Sequence, residues 1–176
     1  FFDRHTPTGA ARCFTCFGLV PNFPPELVRA RLARLLRPGD WLLLSANLAP
    51  GPDYPRGVER ILPQYDNALT RDWLLTFLLD LGVERSDGQL CFAIVEPPAE
   101  AGLRRVQADF TFARLRELAV EGERLTFAPG DCLRVFFSYR YTLERLREML
   151  RPVGLRERGH WMAAPGEEGV MLLRRE

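Results

Sequence analysis

A chain of 176 residues is long enough for one domain with a sizeable core, and 47% hydrophobic with 27% charged residues is ordinary globular composition. Its 24 basic side chains, all arginine, meet 23 acidic ones, so a net charge of +1 gives no field to gather nucleic acid. The longest apolar runs are too short to span a bilayer and neither end reads as a signal or anchor, which excludes a membrane protein and predicts a cytoplasmic one.

Residues 1–11 read as a frayed start or a severed connection. Arg12–Val20 (RCFTCFGLV) reads as a buried strand, and Pro21-Asn22-Phe23-Pro24-Pro25-Glu26 turns it into a helix over 26–37. Val28, Leu32, Leu35 and Leu36 share one face of that helix, while its arginines fall largely on the other. Pro38 and Gly39 stop it, and a strand over 41–48 follows. The unbroken run Trp41-Leu42-Leu43-Leu44 marks a parallel strand covered on both faces. These two strands are expected to be adjacent and parallel, joined by a right-handed crossover. A strand–helix–strand unit of this kind belongs to the later part of a doubly wound sheet. The residues before it supply neither early strands nor a glycine-rich nucleotide loop, so the chain reads as the back half of a cofactor-binding fold.

Residues 49–64, with four prolines and two glycines, are expected to form a loop. Thr70 then offers an N-cap for a helix over 70–81, closed by Gly82. Trp73, Leu74, Leu75, Phe77, Leu78, Leu79 and Leu81 make this helix apolar almost all round. It is expected to be buried in the core or against a partner, either a second copy of the chain or a missing N-terminal half. Leu90–Glu96 and Arg104–Arg114 read as antiparallel strands of an inserted piece, followed by Arg124–Phe127 and Cys132–Tyr139 around the turn Pro129-Gly130-Asp131. Thr142 caps a helix whose apolar face is Leu143, Leu146, Met149 and Leu150. Leu155–Met162 and Val170–Arg174 close the chain as a hairpin.

The cysteines form no set. Cys13 and Cys16 have C-x-x-C spacing, but positions three apart on a strand point to opposite faces. Cys91 and Cys132 stand alone, and all four read as small buried hydrophobes. His5 and His160 are too few and too far apart to add a metal site.

Three segments together carry a resemblance. Phe17-Gly18-Leu19-Val20-Pro21-Asn22-Phe23 with Pro25-Glu26 is similar to the signature G-S-T-I-G-N-F-x-P-x-E. Tyr65-Asp66-Asn67-Ala68 is similar to Y-D-D-A, and Phe137-Ser138-Tyr139-Arg140-Tyr141-Thr142-Leu143-Glu144 to V-S-x-K-Y/F-T-x-E. With these the chain resembles the histidine-specific methyltransferases of the ergothioneine pathway, which use S-adenosylmethionine. The resemblance implies an α/β, Rossmann-like class I methyltransferase fold, here its later half. Residues 12–48 and 132–176 would form the core, 49–131 an inserted antiparallel substrate-side subdomain, and a terminal hairpin would end a single domain.

The resemblance also assigns roles. Phe17 and Gly18 match backbone positions beside the cofactor, S-adenosylmethionine in the complete protein. Asn22 matches the asparagine that hydrogen-bonds the substrate amino acid, Tyr65 the tyrosine at its carboxylate end, and Ser138 the serine near the imidazole. Each has a plainer reading: Asn22 as a cap or turn residue, Tyr65 as a half-buried tyrosine, Ser138 as an ordinary polar contact. Three positions depart from the family. Phe136 stands where a substrate-facing glutamate is found, Pro21 replaces a glycine and Arg140 a lysine. A ring accepts no hydrogen bond from an imidazole. The expected acceptor is therefore an amino-acid-like or small amine other than histidine, with the isolated fragment inactive. No general base can be named, and methyl transfer needs orientation more than a nucleophilic side chain. The alternative is a non-catalytic binding module derived from the same family.

Overall fold

In the computed structural model, which describes Pro7 and residues 9–176, the chain alternates strands and helices as an α/β protein. In order these are β1 (Cys13–Cys16), α1 (Pro25–Leu35), β2 (Trp41–Asn47), α2 (Tyr54–Tyr65), α3 (Ala68–Asp80), β3 (Gly88–Val95), β4 (Arg105–Phe112), β5 (Arg116–Val120), β6 (Glu123–Phe127), β7 (Cys132–Tyr139), α4 (Leu143–Leu150), β8 (Leu155–Met162) and β9 (Glu168–Arg175). Two compact units result. One holds the described residues up to Gly57 together with Tyr139–Glu176, the other Val58–Ser138. Most of the reading of 1–11 as a frayed start, and His5 with it, lies outside the described residues.

The first unit is built on a four-stranded sheet in the order β1-β2-β9-β8. β1 and β2 run parallel with Cys13 opposite Trp41 and Cys16 opposite Leu44, and α1 lies between them in sequence, as predicted. β9 is antiparallel to both β2 and β8. The predicted strand over 12–20 is shorter than expected. Gly18 adopts φ +68°, and Val20–Asn22 wind into a 3-10 turn for which the fixed φ of Pro21 is suited. β2 is not covered on both faces. Leu42, Leu44 and Ala46 on one face are buried, whereas Trp41, Leu43 and Ser45 on the other are half-buried, an alternation that β9 repeats. α1 and α4 supply Val28, Leu32, Leu146 and Leu150 to this unit's core. Thr142 caps α4 through its side chain, as predicted.

Asp40 locks the crossover. Its carboxylate accepts from the backbone and guanidinium of Arg12 and from the Arg37 amide at 2.7 Å, while Arg12 Nη2 also donates to the Leu35 carbonyl at 3.1 Å. The start of β1, the end of α1 and the start of β2 thus share one ion pair. Burial works against this carboxylate, yet the Arg12 hydrogen bonds and the two backbone amides hold its pKa below the ordinary value.

In the second unit β3, β4 and β7 form a sheet, with β3 and β4 antiparallel as predicted, and β5 pairs β6. One face of the larger sheet (Leu90, Ala108, Phe110, Phe112) packs with Leu74 and Leu78 of α3. Three expectations give way here. Residues 49–64 are not a loop, because α2 occupies Tyr54–Tyr65 with Val58 and Ile61 fully buried. Pro55 stands in its first turn, where a missing N–H costs nothing, and Pro63 in its last. Asn67, not Thr70, is the N-cap of α3, accepting from the Thr70 amide at 3.0 Å. Nor is α3 buried all round: Leu69, Trp73 and Phe77 are 84%, 67% and 60% exposed. The β5–β6 hairpin was not anticipated. Glu121 and Gly122 turn it with φ of 51° and 86°, the two-residue geometry that matches strand twist.

The cysteines also depart from expectation. Cys13, Cys91 and Cys132 are exposed and Cys16 is half-buried, all four free. They sit at the outer positions of edge or half-covered strands, which a one-dimensional apolar count does not distinguish from core.

Candidate functional site

The loop after β1 lies at the carboxyl end of a parallel pair, the edge where open α/β sheets bind ligands. Two hydrogen bonds shape it. The Gly18 amide donates to Ser45 Oγ of β2 at 3.0 Å, and Asn22 Nδ2 donates to the Gly18 carbonyl at 3.0 Å. Asn22 therefore braces the loop and does not cap α1, whose N-cap is Pro24 with no side-chain bond. Its Oδ1 has no partner among the described residues and is free to accept. The left-handed backbone at Gly18 leaves open space where a Cβ would stand, so a ligand can approach this backbone closely. Phe17 is exposed beside it. Next to the loop is a hollow of about 490 Å³, walled by Phe17, Ser45, Trp161, Met162, Glu168 and Gly169.

In the second unit, Tyr65 stacks on Phe136, with ring centroids 5.3 Å apart and planes 29° from parallel. Phe136 is partly buried against the apolar cluster of this unit. Alternation along β7 puts Ser138 on the same face as Phe136. Ser138 is only 1% exposed, and its Oγ has no hydrogen-bond partner. An orphaned buried hydroxyl is costly. Of the predicted site residues, the structure gathers Phe17, Gly18 and Asn22 in one loop, and Tyr65, Phe136 and Ser138 around one strand.

Sequence reasoning passed over Ser45, Trp161 and Glu168. Ser45 had a signal, as a hydroxyl inside the apolar strand WLLLSANL. Trp161 and Glu168 reach the hollow only through the register of β8 and β9, in which Trp161 faces Val170 and Met162 faces Gly169.

A loop open for close backbone approach at the ligand edge of an α/β sheet is what an S-adenosylmethionine-dependent methyltransferase presents. Over residues 3–175 the chain matches the family described as histidine-specific methyltransferase, SAM-dependent, and it belongs to that family. Comparison with curated proteins finds no match. Among solved structures it is similar to an S-adenosylmethionine-dependent methyltransferase from Clostridium acetobutylicum ATCC 824, at 10% identity and TM-score 0.43, covering 93% of this chain and 57% of that one. It is similar to the CcbJ methyltransferase from Streptomyces caelestis at 13% identity and TM-score 0.38, covering 94% and 61%. A third likeness is to an S-adenosylmethionine-bound amino pentose methyltransferase from Micromonospora echinaspora, at 14% identity and TM-score 0.35, covering 98% and 62%. The chain thus spans about three fifths of the length of these proteins.

Phe17 and Gly18, the positions that the resemblance sets beside the cofactor, stand where the flank of Gly18 is open. Among the described residues no helix is long and apolar enough to cross a membrane.

Proposed function

We propose that the complete protein methylates the nitrogen of an amino-acid-like or small amine other than histidine, and that the isolated chain is inactive. Phe17 and Gly18 would hold S-adenosylmethionine, which would supply an electrophilic methyl group on its sulfonium. The chain's own part is orientation. In the first unit Asn22 Oδ1 is open to accept beside the Gly18 loop; in the second, Tyr65 with Phe136 forms an aromatic wall and Ser138 Oγ offers the bond it lacks.

One observation supports the reading on specificity: the Phe136 ring lies against Tyr65, at the position where the resemblance implies a carboxylate. Losing a charge-assisted hydrogen bond costs about 1.5–3 kcal/mol, roughly one to two decades in affinity. The test is a methyl-transfer assay of the full-length protein against histidine and a panel of other amines, alongside Phe136→Glu. Wild type is expected to prefer another amine, and Phe136→Glu to raise histidine turnover by about tenfold or more. Histidine outrunning every other acceptor, with turnover falling when Glu replaces Phe136, overturns the proposal.

A further inference from the structure

The hollow beside the β1 loop has walls that the proposed chemistry leaves unused. Phe17, Trp161 and Met162 are 53%, 58% and 50% exposed there, two aromatic faces and a polarizable thioether lining one space of about 490 Å³. Glu168 lines it too, and among the described residues its carboxylate has no hydrogen-bond or ion-pair partner. The chain carries 24 arginines, and none lines this hollow. The Gly18 amide of the neighbouring loop is already given to Ser45. An anion would meet a bare carboxylate and, besides the Trp161 indole N–H and the Ser45 hydroxyl, no cationic side chain. A cation would meet π-faces and a negative charge.

We propose that this hollow binds a methylated ammonium group, the head of an acceptor already carrying methyls or of the product. The proposal rests on the methyltransferase reading only in that N-methylation makes such a group. Methyl substituents spread the positive charge over a large apolar sphere. That sphere is weakly hydrated and attracted to aromatic faces, tryptophan above all. Glu168 supplies the counter-charge, weakened by its exposure to water. Met162 fills irregular space around the methyls. A neutral group of the same shape keeps the apolar contact and loses both electrostatic contributions.

The experiment titrates this chain with choline and with choline's neutral tert-butyl isostere, in which carbon replaces the nitrogen, following the indole N–H signals by NMR. Choline is expected to bind about tenfold more tightly than the isostere and to move the Trp161 signal. Trp161→Leu should weaken choline about tenfold and Glu168→Gln about threefold, while Trp73→Leu leaves it unchanged. Trp161 and Glu168 are both exposed, so neither change threatens the fold. Equal binding of choline and isostere overturns the proposal, as does choline binding indifferent to Trp161→Leu. Displacement of choline by S-adenosylhomocysteine also overturns it, by giving the hollow to the cofactor. Because the titration needs no turnover, it can fail while the methyl-transfer assay succeeds, and the reverse.

Discussion

Ser138 and Asp40 show opposite uses of a buried polar group. The Ser138 hydroxyl is enclosed and unbonded, which costs the fold about 1–3 kcal/mol. Ser138→Ala is therefore expected to leave the urea midpoint unchanged or raised, while the acceptor KM of the full-length protein rises about tenfold. A fall in stability with KM unmoved would make the hydroxyl merely structural. Asp40 is buried and fully bonded, so Asp40→Ala strands the Arg12 guanidinium and should cost about 3 kcal/mol in urea unfolding. Its folded pKa lies below the unfolded one. The stabilisation is therefore complete above the ordinary aspartate pKa of about 3.9 and is lost as pH falls through the lower folded value. Asp40→Asn should flatten that part of the acid unfolding curve.

Among the elements, α3 presents the clearest conflict between composition and burial. Its Leu74–Leu78 stripe is packed and its Leu69–Trp73–Phe77 stripe faces outward. Substituting Trp73→Arg and Phe77→Arg together should shift unfolding stability by about 0.5 kcal/mol or less and reduce self-association in sedimentation velocity. A loss above about 2 kcal/mol would show that the outer stripe is packed after all. The apolar count of α3 was plain in the sequence, but a count does not say which side has a neighbour. The same limit explains β2, whose run of four apolar residues hid that one face of the strand is less covered than the other. Elements whose own residues dictate them were legible: α1 from periodicity, α4 from periodicity and its Thr142 cap, β4 from alternation, the terminal hairpin from its turn. α2 was not, since prolines at helix ends look like loop punctuation until position is known. The end of β1 was not, since Phe17-Gly18-Leu19-Val20 stays apolar while the backbone turns left-handed. At the site, Asn22, Tyr65, Phe136 and Ser138 were found by resemblance of short segments. Trp161 and Glu168 meet Phe17 only through strand register across the sheet.

At the scale of the whole molecule, family membership covers nearly every residue, while the chain itself folds as two compact units. Each unit carries its own free thiols, Cys13 and Cys16 in the first, Cys91 and Cys132 in the second. This distribution turns the cysteines into reporters. Treated with a thiol-reactive chromophore at neutral pH, Cys13, Cys91 and Cys132 should be consumed together and Cys16 late, and Cys16→Ser should abolish the late phase. Burial pushes the Cys16 thiol up, leaving less of the reactive thiolate, and half-burial restricts the reagent. The slow phase then clocks how often β1 and its surroundings open, separately from the second unit. Labels placed on Cys91 or Cys132 would read the second unit alone. The half-buried Cys16 thus equips the first unit with a kinetic gauge, and the exposed Cys91 and Cys132 give the second a place for labels.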